Sequence, residues 1–205
     1  FYNMCLDHSL SLHIGVTLAE TLISFGLTIL FTVAIAVLLW GFPKFADVTE
    51  PYFVVLNSLP KSALAPLLIV WLGANRTTII IAGMSVAIFG SIISLYQGFQ
   101  EVSQEKMKLI YTLGGKKYQV LLKVVLPASV PYLLSILKVD IGLCLVGVII
   151  GEFIGAREGL GYLIIYSSQV FKLDWLIMAI VILCIIAMIL YQILCILEKW
   201  YAKKK

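Results

Sequence analysis

Four ionisable side chains stand in or at the edge of long apolar runs: Glu20, Lys138, Asp140 and Glu152. A charge at bilayer depth costs about 2.5–3.5 kcal/mol on insertion scales, so each must face a cavity, an opposite charge or a solute. Lys138 and Asp140 are two apart and point to different sides of a helix. Pairing across helices, Lys138 with Glu20 for instance, and contact with a transported solute both meet the demand. Lys138, Asp140 and Glu152 are therefore the candidate pathway residues. No nucleophile–base pair and no metal-ligand cluster stands among them, and no cofactor is expected.

Other patterns imitate chemistry. Gly114-Gly115-Lys116-Lys117 looks like the end of a phosphate-cradling loop, but that loop needs Gly at 110 and Ser or Thr at 117. The chain has Ile110 and Lys117, so any ATP hydrolysis belongs to another chain. The lysines also suit lipid headgroups. His8 and His13 lack a carboxylate at metal spacing and read as solvated. Cys5, Cys144, Cys184 and Cys195 show no ligand spacing, and three lie in apolar runs, where cysteine acts as a small hydrophobe. Gly147, Gly151, Gly155 and Gly159 recur every fourth residue, a spacing that lets helix backbones approach closely in lipid.

The elements that must position these residues are membrane helices. The chain is 61% hydrophobic and 13% charged over 205 residues, with mean hydropathy +1.05. Soluble domains average about 45–50% apolar and about 25% charged, so the class is all-α and polytopic. Apolar runs at 14–40, 77–96, 128–150 and 175–197 are long enough to span. Residues 44–51 read as a polar link, and 51–73 as a short or kinked helix cut by Pro60 and Pro66. About five spanning helices result. Residues 151–171 read as a loop with a short helix, and 198–205 as a basic tail. No basic stripe carries interleaved aromatics, so nucleic acid is not a partner.

The water-facing stretch Lys108–Pro127 reads KLIYTLGGKKYQVLLKVVLP. Leu109, Ile110 and Leu113 make one helical face, which stops at Gly114-Gly115. Tyr118, Leu121, Leu122 and Val125 make a second, ending at Leu126-Pro127. The pattern predicts two short helices joined by a glycine corner. Lysine asymmetry orients it. Lys44, Lys61, Lys106, Lys108, Lys116, Lys117, Lys123, Lys199, Lys203, Lys204 and Lys205 fall on its side, against Arg76, Arg157 and Lys172 on the other, with Lys138 in a span. By the positive-inside rule this side and the C-terminus are cytoplasmic.

The same stretch resembles the cytoplasmic EAA loop of bacterial ABC importer permeases, with Gly114, Val124, Leu126 and Pro127 on its fixed positions. Lys108, Leu109 and Ile110 depart from its Glu-Ala-Ala triplet. SLPKSALAPLLIVWLG (58–73) and GEFIGAREGLGYLI (151–164) are similar to segments of the nitrate/sulfonate/taurine-type subfamily, whose relatives also import bicarbonate and thiamine precursors. The resemblance implies a single MetI-like ABC permease domain over 1–205, in the bacterial inner membrane, lacking one N-terminal helix of the family. It also implies a permease dimer (expected as a homodimer) within the lipid bilayer, a cytoplasmic ATP-binding subunit and an extracytoplasmic solute-binding protein. Coupling to the ATPase would run through the segment at about 101–127, on Lys108, Leu109, Ile110, Leu113, Gly114, Lys116, Lys117, Val124, Leu126 and Pro127. A secondary transporter would be equally apolar, but usually carries internal repeats, which are not found.

Overall fold

The computed structural model describes residues 9–204. Among them nine α-helices and one π-turn follow in order, with no strand. Helix α1 spans Ser9–Gly41, α2 Pro43–Ser58, α3 Lys61–Leu72 and α4 Arg76–Gln100. Two short helices follow, α5 at Gln104–Thr112 and α6 at Lys117–Val120, and a π-turn at Leu121–Val125. Helix α7 spans Leu126–Gly155, α8 Leu160–Gln169 and α9 Leu173–Lys204. Helices α1, α4, α7 with its lead-in, and α9 are long and apolar enough to cross a bilayer; α2 and α3, bent by 95° at their junction, complete a fifth passage if taken as one span.

Helix α4 is the axis of the bundle, and α1 and α7 close on it. The approach to α7 is so tight that a Cβ on Gly147 would lie 2.7 Å from the Cα of Gly83. On α1 the inward face is small and polar: Thr17, Thr21, Ser24, Thr28 and Thr32 are all buried. Small residues let helices meet without a hydrophobic driving force, which lipid does not supply. The first three glycines of the every-fourth run therefore serve packing. Gly147 meets Gly83, Gly151 meets Ile79 and Gly155 meets Ile69 of α3. Replacing Gly147 by Leu is expected to cost at least about 1–3 kcal/mol, because the α4 backbone has no room to yield. Gly155→Leu meets the flexible end of Ile69 at 2.9 Å, with the Ala74 backbone farther off at 3.8 Å, and is expected to cost less. Thermal unfolding of the two variants in detergent gives the comparison.

Several boundaries differ from expectation. Residues 44–51 are helical, since Pro43 stands in the first turn of α2, where its missing N–H is no loss. The break falls later, at Leu59-Pro60, because a residue preceding proline avoids the α region and Leu59 is extended (φ −63, ψ 142). Leu126-Pro127 does not end the second short helix. The chain widens into the π-turn, where Leu126 N–H donates to Leu121 O, and so carries Pro127 into the start of α7 without a break. Residues 151–155 finish α7, and the basic tail continues α9 to Lys204.

Two poles result. One gathers the end of α1, the α5–α6 segment and the end of α9. There Lys117 Nζ donates to Gly41 O and lies 5.5 Å from the Trp40 ring centroid. At the other pole Arg76 pairs with Glu158 at 2.7 Å, and Gly159 N–H donates to His13 Nδ1 at 3.0 Å. His13 is thus a half-buried acceptor rather than a solvated side chain; His8 and Cys5 lie outside the described residues. Lys61 belongs to neither pole. Its Nζ donates to Val86 O at 2.7 Å, ten residues into α4. At 1.5 Å per residue that is about 15 Å deep, the middle of a bilayer core about 30 Å thick. The asymmetry survives its removal from the count.

Candidate functional site

The α5–α6 segment is built as a rigid corner. Gly115 N–H donates to Ile110 O (2.9 Å) and Gly114 N–H to Tyr111 O (3.0 Å). This paired closure of a helix C-terminus requires a left-handed residue, and Gly114 has φ +79. No atom lies within 4 Å of a Cβ built on Gly114, so glycine is needed there for its backbone and not for space. On the far side, Gln119 Oε1 accepts from Lys116 N–H at 2.8 Å and starts α6. Residues expected on one face divide between two jobs. Leu109 and Leu113 are exposed, at 59% and 75%. Ile110 turns inward with Val124 and Leu126 against a core of Phe99, Val120 and Val125. Lys108, Lys116 and the side chain of Pro127 stand exposed, and Lys117 is tied to the end of α1. The corner thus presents two leucines on a bolted base.

The three candidate pathway residues do not meet. Lys138 pairs with Glu198 of α9 at 2.7 Å, not with Glu20. Asp140, two residues on, turns the other way and is buried, accepting from Ser91 Oγ at 2.6 Å. Glu152 is wholly buried near the opposite pole from the corner, with Glu20 beside it. Thr17 Oγ1 donates to Glu152 Oε1 (2.7 Å) and accepts from Leu160 N–H (2.8 Å), while Gly161 N–H donates to Glu152 Oε2 (2.6 Å). Gly159, at φ +107, packs directly on that carboxylate. Glu152 therefore ties the turn before α8 to α1 and α7, and together with Thr17 it satisfies two backbone donors that lipid could not.

A cavity of about 540 Å³ opens between the α2–α3 break, α4 and α7. Asp140, Ser91, Ser94 and Ser135 line it together with Asn57 and Lys61, from the two sides of the break. Neither Asn57 nor Lys61 was singled out from sequence as a pathway residue. The signal was Pro60: a proline-interrupted apolar segment delivers polar groups to the midplane. A second cavity, of about 760 Å³, lies at the corner's pole between α5, the π-turn and the end of α9, lined by Lys106, Leu109, Lys123 and Trp200 among others.

The chain and its fold have counterparts among known proteins. Residues 28–204 match the family described as binding-protein-dependent transport system inner membrane component. The chain belongs to this family. A probable ABC transporter permease protein of Haemophilus influenzae is 32% identical over 87% of this chain and 73% of its own length. The taurine transport system permease protein TauC of Escherichia coli is 25% identical over 90% of this chain and 67% of its own. The permease fold is also that of the membrane subunit of the inward-facing MetNI methionine ABC transporter. The two superpose with TM-score 0.80 at 17% identity, over 95% of this chain and 96% of that one. This permease is a multi-pass transport subunit of an ABC importer, not an enzyme. Family membership implies an ATP-binding subunit and a solute-binding protein as partners.

Proposed function

We propose that two copies of this permease enclose one translocation pathway, each seated through residues 101–127 on a cytoplasmic ATP-binding subunit, with the C-terminus on the same side. The observation that carries this reading is the corner at Gly114. A pushed element must be short, rigid and apolar at its tip, and Leu109 and Leu113 stand exposed on a helix whose end is locked by two backbone hydrogen bonds. Homodimer formation is proposed through the face of the broken pair, where Val55, Val70 and Trp71 are exposed. The solute proposed is small and organic, of the sulfonate or taurine type, in keeping with the TauC relative. Asp140, with Lys61, faces the pathway, whereas Lys138 and Glu152 support it from behind.

Two measurements test this. Affinity-tagged permease should recover its ATP-binding subunit from membranes, and recovery of permease alone would remove the coupling role. Single cysteines at Lys116 and Lys204 should resist impermeant thiol reagents in intact cells, and one at Arg157 should react. Labelling at position 116 from outside would reverse the orientation.

A further inference from the structure

The mid-depth cavity holds two charges that the fold leaves without counter-charges. Lys61 Nζ is held by neutral acceptors, Val86 O at 2.7 Å and Asn57 Oδ1 at 3.2 Å. An ammonium has three donors, so one is left for the cavity. Asp140 receives one neutral donor, Ser91 Oγ, on Oδ1, while Oδ2 is buried with no partner. Asp140 is only 2% exposed. Among the described residues the ion pairs are Arg76–Glu158 and Lys138–Glu198, so Lys61 and Asp140 are not in direct ion-pair contact.

Yet the two charges are close. Lys61 is anchored on Val86 O, and Ser91, whose single hydroxyl proton goes to Asp140, keeps its Oγ 2.9 Å from Ala87 O. Their holding points, the Val86 carbonyl and the Ser91 hydroxyl, thus lie beside adjacent carbonyls of α4, about 1.5 Å apart in rise. Both side chains line the same cavity, and Gly90 between them leaves space: a Cβ there would meet Asn57 Oδ1 at 3.2 Å. A volume of about 540 Å³ is in the range of small-molecule sites.

We infer that this cavity is a binding site for a small zwitterion, whose acid group is taken by Lys61 and Asn57 and whose ammonium is taken by the free oxygen of Asp140. The inference rests on the permease reading and narrows the proposed solute from the sulfonate or taurine type to a zwitterion, excluding a plain sulfonate. An isolated charge at this depth is costly, and a zwitterion relieves both charges at once. A plain anion would relieve Lys61 and leave Asp140 unmet; a plain cation would do the reverse. The site therefore selects for paired opposite charges a few bonds apart. Ser94 and Ser135 add neutral hydrogen-bonding capacity around the middle of such a solute.

The test uses the permease with its ATP-binding subunit in lipid nanodiscs, without the solute-binding protein, and follows binding by calorimetry. Taurine and β-alanine are the zwitterionic probes; ethanesulfonate and ethylamine each carry one of the two charges. Expected is binding of at least one zwitterion, with both single-charge probes at least tenfold weaker. Asp140→Asn should erase the preference for zwitterion over ethanesulfonate, and Lys61→Met should abolish binding of both. Lys61→Arg should retain binding, which separates charge recognition from a folding defect. Equal affinity for taurine and ethanesulfonate would overturn the inference, as would binding unchanged in Asp140→Asn and Lys61→Met, or no binding by either zwitterion. If the ATP-binding subunit is recovered in those cases, the permease reading stands without this site. Failure to recover the subunit with the permease, which is seen when the complex is first purified and before any calorimetry, would instead be the failure of the permease reading.

Discussion

Replacing Gly114 by Val is expected to abolish recovery of the ATP-binding subunit while the permease still inserts in the membrane. The residue has φ +79 and closes α5 through the bonds of Gly114 N–H to Tyr111 O and Gly115 N–H to Ile110 O. An L-residue in this region costs about 1–2 kcal/mol, and a β-branched one costs more. The strain relaxes by opening the corner, which tilts Leu109 and Leu113 away from their common presentation. Residues central to an interface commonly carry about 2 kcal/mol or more each, so misplacing them weakens docking by a factor of about 30 or more. Insertion survives because the spans lie elsewhere. Gly114→Asn discriminates the cause. Asn tolerates the left-handed region, so it should keep most of the docking. Lys116→Ala should do little, because rim charges are screened. Pull-down and ATPase stimulation report all three. Gly114→Val behaving like the parent would remove this corner from the coupling path.

The corner was legible because its signal is local. Glycines after an apolar helical face mark a C-terminus, and the lysines mark the aqueous side. What was not legible depended on distance. Lys138 pairs with Glu198, 60 residues away, and nothing in either neighbourhood selects that partner over Glu20. Lys61 was misplaced for a different reason. Counting lysines treats each one as a marker of water, and this holds only where the chain is outside the bilayer. The break at Leu59-Pro60 carries Lys61 to mid-depth, where Val86 O and Asn57 receive it. Pro127 misled in the opposite direction. It reads as a stop, but a π-turn ahead of it absorbs the missing donor and lets the helix run on. The apolar runs of α4, α7 and α9 were plain from composition alone, and they define most of the bundle.

Glu152→Ala is expected to destabilise the permease by several kcal/mol, and to do so from the pole opposite the corner. Its carboxylate is 0% exposed and accepts from Thr17 Oγ1 and from Gly161 N–H. Truncation leaves both donors buried without their acceptor, at about 1–3 kcal/mol for each. It also leaves a void under Gly159, which packs on that side chain with φ +107. The turn before α8 then loses its tie to α1, and solute uptake falls with it. Glu152→Gln keeps one carbonyl oxygen for Gly161 and should fall between parent and Ala. The Arg76–Glu158 pair provides the contrast at the same pole. Its side chains are 68% and 41% exposed, so Arg76→Ala should cost no more than about 1 kcal/mol. Unfolding temperatures of the purified variants in one detergent rank them directly. A Glu152→Ala protein as stable as the parent would mean that water replaces the carboxylate at this latch. Any loss of uptake would then have to come from contact with solute.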